Sequence, residues 1–68
     1  MTAAGDLTRD RILRVIERLA QANGYSPTVR EIAEEVGLSK SAAFKHLKLL
    51  REEGAVSTPR PGAGWFLS

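Results

Sequence analysis

From Thr28 to Gly54 the chain carries two stretches of helical period joined by Gly37-Leu38-Ser39, and few folds accept that arrangement. Thr28 and Glu31 have the spacing of a capping box, in which each side chain satisfies the other residue's backbone N–H. Pro27, just ahead of the cap, restricts the direction from which the chain arrives. Val29, Ile32, Ala33 and Val36 then make one apolar face. Gly37 stands where a helix ends in positive φ, and Ser39 is a ready N-cap for the next helix. Leu38 is expected to tuck under the turn. Ala43, Leu47 and Leu50 supply the second apolar stripe, closed by Gly54. Two short helices around a tight glycine turn are the layout of a helix-turn-helix, whose second helix enters the DNA major groove.

The flanking segments complete a small domain. Residues 1–6 are small and polar and are expected to be disordered. Thr8 is the expected N-cap of a first helix, Leu7 its hydrophobic staple, and Asn23-Gly24 its stop. Ile12, Val15, Ile16 and Leu19 line its inner face. Arg9, Arg11, Arg14 and Arg18 lie elsewhere, with Arg14, Glu17 and Arg18 spaced for weak surface pairs. Arg9 or Arg11, near the helix start, is the better phosphate candidate. Tyr25 is expected as a partly buried lid with its hydroxyl in water.

After Gly54 the period changes. Ala55–Thr58 and Trp65–Ser68 alternate around a Pro/Gly-rich loop, which reads as a β-hairpin. Alternation sends Val56, Trp65 and Leu67 inward and leaves Ser57 and Phe66 outward. Arg60, between Pro59 and Pro61, is the only charge of the loop and should project from its tip. The expected architecture is mainly α with a small β-hairpin, a three-helix winged helix-turn-helix. It forms a single domain over 1–68, with helices at about 8–23, 28–36 and 39–53 and wing strands at about 55–58 and 65–68.

Composition removes several chemistries. Sixty-eight residues make one domain with a small core, since chains of this size bury about 60% of their unfolded surface. No cysteine is present, so disulfides, thiolate metal sites and thiol catalysis are excluded. His46 is the only histidine, which leaves a zinc site without a donor set. Ser39 and Ser41 lack a partner suited to nucleophilic catalysis, and the adjacent acids Glu34-Glu35 and Glu52-Glu53 point in different directions on their helices. No phosphate-cradling glycine motif occurs. The expectation is a binding protein without metal, cofactor or enzymatic activity. No apolar run approaches the roughly 20 residues of a membrane span, and a signal-peptide core is missing. A cytoplasmic location follows as the expectation.

Charge is sorted by element. The net charge is only +2, yet Lys40, Lys45, Lys48 and Arg51 follow Ser39 with no acid among them. The preceding helix sets Arg30 against Glu31, Glu34 and Glu35. A basic face on a nearly neutral chain suits a nucleic-acid partner. On that reading Lys40, Ser41, Ala42, Phe44 and Lys45 meet base edges: lysine donates to guanine O6 or N7, and Ala42 and Phe44 touch thymine methyls. Thr28, Arg30 and Lys48 hold backbone phosphates, aided by the helix N-terminus, and Arg60 reaches the backbone or minor groove from the wing. Double-stranded DNA is the expected partner, with room for a homodimer on a palindromic site. The alternative is a protein–protein interaction winged helix anchored by Phe44 and Phe66. Its weakness is the basic helix, since protein interfaces are poor in lysine.

The segment Gly24-Tyr25-Ser26-Pro27-Thr28 through Glu31-Ile32-Ala33, together with His46-Leu47-Lys48 through Leu50 and Gly54, resembles the N-terminal DNA-binding domain of LexA-type repressors. The likeness runs from Leu7 to Leu67 and includes the wing ending Gly64-Trp65-Phe66-Leu67. It implies a winged helix-turn-helix that binds specific duplex sites in transcriptional repression. Two departures stand out. Between Gly37 and His46 this chain is one residue shorter than is usual in the family, and it lacks the proline often found at the start of the recognition helix. Operator preference therefore does not carry over. The family's second, self-cleaving domain has no counterpart in these residues, so self-cleavage is not implied. An excised domain and a small stand-alone regulator both fit.

Overall fold

Three helices and one hairpin follow in the order α1 (Ala4–Asn23), α2 (Val29–Val36), α3 (Lys40–Glu52), β1 (Val56–Ser57) and β2 (Phe66–Leu67). The computed structural model describes residues 4–60 and 62–68. The helix-turn-helix forms for local reasons. Glu31 N–H donates to Thr28 Oγ1 at 3.2 Å and Thr28 N–H to Glu31 Oε1 at 2.9 Å, so both halves of the capping box are made. Gly37 ends α2 at φ 76°, and the next two amides, those of Gly37 and Leu38, both return to the Ala33 carbonyl. Ser39 caps α3 through its hydroxyl, which accepts from Ala42 N–H at 3.1 Å. Gly54, at φ 83°, turns the chain out of α3 while Ala55 N–H reaches back to the Leu50 carbonyl.

α1 lies against α2 and β2, and α3 against α2 and β1. Ile12, Val15, Ile16, Ile32, Val36, Leu47, Leu50, Val56 and Trp65 form one core, with Leu13, Leu19, Val29 and Leu38 partly buried against it. Val56 pairs with Leu67 and Ser57 with Phe66 in an antiparallel ladder. Among the described residues no helix is long and apolar enough to cross a membrane.

Several expectations need correction. α1 starts at Ala4, one turn before Thr8, so Thr8 lies inside the helix and does not cap it. Threonine in a helix costs only about 0.7 kcal/mol relative to alanine, too little to set a boundary. Residues 4–6 are thus helical, while the expected disorder of residues 1–3 falls outside the described residues. Leu7 is exposed and is no staple, and Tyr25 is likewise exposed, its hydroxyl 3.4 Å from Glu31 Oε2. Each strand is two residues long. Trp65 drops out of the ladder because its N–H donates to the Pro27 carbonyl at 2.8 Å instead. Trp65 is still buried, as alternation required, but Leu67 is 38% exposed. Leu67 shares the inward side with Val56, but it sits at the rim beside Leu13, Arg14 and Gln21 of α1, where the hairpin outruns its cover.

Three of the four arginines of α1 contact other elements. Arg18 pairs with Glu35 of α2 at 2.7 Å, Arg9 pairs with Glu53 after α3, and Arg11 Nη2 lies 3.4 Å from the Val36 carbonyl. The expected Arg14–Glu17–Arg18 surface pairs are not formed; of the two phosphate candidates, Arg9 is paired with Glu53, and exposed Arg11 has only the long contact to the Val36 carbonyl. A cross-element carboxylate or a helix-end carbonyl is a better partner than a neighbour on the same exposed face.

A candidate nucleic-acid interface

The side of α3 away from the core follows from its apolar stripe. Ala43, Leu47 and Leu50 are buried, and at about 100° per residue Ser41, Lys45 and Lys48 project opposite them. All three are exposed. Lys40 and Phe44 flank that row on one side, and half-buried Ala42 on the other.

Lys40 and Phe44 share an open cleft of ≈ 310 Å³ with Thr28 and Arg30 from the start of α2 and Gly62, Ala63 and Trp65 from the wing. Four of the expected site residues therefore meet in one concavity. Ser41, Lys45 and Lys48 continue the surface outside it, and Arg60 stands exposed on the wing. The Arg60 carbonyl accepts from Ala63 N–H at 3.1 Å and lies 3.2 Å from the Thr58 hydroxyl, closing a turn with Gly62 at φ 86°. Pro61, expected to stiffen that loop, lies outside the described residues. Thr28 is half-buried and its hydroxyl faces Glu31 Oε1 at 3.2 Å, so much of its polar capacity already serves the cap.

Exposed Glu52 shares α3 with Lys40, Lys45 and Lys48, but three other acids are engaged elsewhere. Glu35 and Glu53 are neutralised by α1, and Glu31 is occupied by the Thr28 cap. Among the described residues no carboxylate pairs with Arg30, Lys40, Lys45, Lys48 or Arg60. The five cations expected at a DNA surface all lack an internal counter-charge among the described residues, a property they share with Arg11, Arg14 and Arg51.

Phe44, 49% exposed, lies edge-on to Trp65 with ring centroids 6.4 Å apart and planes at 73°. Such a pair contributes about 0.5–1.5 kcal/mol beyond burial and fixes the ring's orientation. Trp65 is thus both core and support for an exposed aromatic on α3. Phe66 is exposed as expected, but it pairs with Ser57 and points to the opposite side of the hairpin from Trp65. Phe44 and Phe66 consequently do not form one apolar patch. Sequence reasoning missed the contributions of Gly62 and Ala63 to the cleft. Their small size was the available signal, since only small residues let a loop approach two helix starts closely.

A sequence model of the LexA DNA binding domain family matches residues 5–63. A LexA repressor from Pseudomonas chlororaphis is 49% identical over 53 residues, which cover 76% of this chain and 26% of that protein. A LexA repressor from Frankia casuarinae is 46% identical over 55 residues, covering 78% of this chain and 22% of that protein. The chain therefore spans about a quarter of the length of the curated relatives it matches. Among solved structures, the Zalpha domain from Carassius auratus PKZ, crystallised in complex with Z-DNA, has a TM-score of 0.75 at 31% identity. That likeness covers 97% of this chain and 100% of the other.

Proposed function

Because this chain belongs to the family of LexA DNA-binding domains, we propose that it is a sequence-specific duplex-DNA reader serving a transcriptional regulator, in particular a repressor. α3 lies in the major groove and the wing, residues 59–64, on the backbone or minor groove. The observation that carries this reading is the run of unpaired cations on α3, joined through one cleft to the start of α2 and the wing. Lys40, Ser41, Ala42, Phe44 and Lys45 address base edges, while Thr28, Arg30, Lys48 and Arg60 address phosphates or the minor groove. Residues 1–68 act as a single binding domain without catalysis, in the cytoplasm, and two copies on a palindromic site are the proposed assembly. Docking onto a protein through Phe44 and Phe66 is disfavoured by their opposite orientations about the hairpin.

The test uses a preferred duplex recovered by selection from random sequence. Lys40→Ala and Lys45→Ala are expected to weaken that site by about 1–3 kcal/mol each and random duplex much less. Lys48→Ala should weaken both alike. Equal losses on the two duplexes for all three variants would mean that the reading face is misplaced. For Arg60→Ala the expected result is an unchanged melting temperature with reduced affinity. The Arg60 backbone carries the turn, and alanine preserves it. Normal binding by Arg60→Ala would reduce the wing tip to a solvated turn.

A further inference from the structure

Gly64 is pinned from two directions. A Cβ built on it would meet Ser26 O at 2.3 Å, Ser26 Cβ at 2.7 Å and Ser26 C at 2.8 Å, separations that real side chains do not tolerate. Its backbone does not need positive φ, so glycine is required here for space alone. From the other side the Thr58 hydroxyl donates to the Gly64 carbonyl at 3.0 Å, and it also lies 3.2 Å from the Arg60 carbonyl. The next residue, Trp65, gives its N–H to Pro27 and its ring edge to Phe44. The α1–α2 linker therefore grips the returning arm of the wing one residue before α2's cap. Through Trp65 the same grip reaches the exposed ring of α3.

We infer that Gly64 is a positioning residue for DNA binding: its close seat on Ser26 sets where the wing, and with it Arg60, stands relative to α2 and α3. This rests on the function proposed above. A methyl group at Gly64 must push the arm off the linker, because two of the three atoms it meets are backbone and cannot rotate away. The displacement passes to Arg60 through the Thr58 bridge, whereas Lys48, on the rigid body of α3, makes no hydrogen bond or ion pair with the wing among the described residues.

The experiment measures affinity for one selected duplex over a salt series, for wild type, Gly64→Ala, Arg60→Ala and the double variant. Lys48→Ala is added to wild type and to Gly64→Ala as a control. Gly64→Ala is expected to lower affinity as much as Arg60→Ala and to make the salt slope shallower by about 0.9, one phosphate contact. Arg60→Ala should then change the Gly64→Ala protein by no more than about twofold, the scatter of independent sites. Lys48→Ala should keep its full effect in both backgrounds, which a merely unstable protein would not distinguish. Should Gly64→Ala fail to fold, Thr58→Ala takes its place, removing the hydroxyl that joins Gly64 to Arg60, with the same pattern expected. Effects of Gly64 (or Thr58) and Arg60 that multiply independently would overturn the inference while leaving duplex binding intact. A wild-type protein that binds no duplex at low salt would remove the functional reading itself, and this inference with it.

Discussion

Trp65→Ala is expected to cost about 3–5 kcal/mol of folding stability. A chain of this size has a total of about 3–10 kcal/mol to lose, so the variant gives up about a third or more of its stability and its melting temperature should fall steeply. The expectation follows from what the indole joins. It is 5% exposed in a core drawn from all three helices and β1, so its removal leaves a void that short strands cannot close. Its backbone N–H ties the wing to Pro27, itself fully buried, and loosening the ring weakens the setting of that bond. Phe44 also loses its edge-on neighbour. Thermal and urea unfolding measure the effect directly. A Trp65→Ala protein melting within a few degrees of wild type would contradict the inward register of the wing.

The parts of the fold that were legible in the sequence are those settled by neighbours in the chain. Thr28 with Glu31, Gly37 and Ser39 each complete a cap within four residues, and all three form as the spacing required. The inward alternation of Val56 and Trp65 was legible too, because a small core has few other places for a valine and a tryptophan. What escaped was decided by distant partners. Trp65 leaves the strand because Pro27, far away in sequence, offers a carbonyl. Leu67 stays at the rim because α1 does not extend over it. Arg9 and Arg18 look like surface charges until the fold brings Glu53 and Glu35 to them. The start of α1 was misjudged because Thr8 resembled a cap while nothing before it forbade a helix.

For the interface, charge sorting along the chain singled out the basic helix with Lys40, Lys45, Lys48 and Arg51. It could not reveal that Lys40 and Phe44 would meet Thr28, Arg30 and the wing in one cleft, since that depends on how three segments cross. Nor could it assign Gly64 a role. A glycine needed for close approach looks, in sequence, like any other glycine of a turn.

The second large effect concerns salt. Arg30, Lys40, Lys45, Lys48 and Arg60 have no carboxylate partner among the described residues, so DNA need not break an internal pair to recruit them. Binding that brings these five cations against the phosphate-lined groove, the base-reading Lys40 and Lys45 included, releases condensed counterions at about 0.9 per phosphate neutralised, which gives a slope of log K against log salt of about −4 to −5. Affinity should then fall roughly 250- to 1000-fold between about 50 and 200 mM salt. Titration of a labelled duplex across that range tests the claim that this basic face is a DNA surface most directly. Tight binding at low salt with a slope near −4 to −5 is the predicted result, and absence of duplex binding at low salt would contradict it.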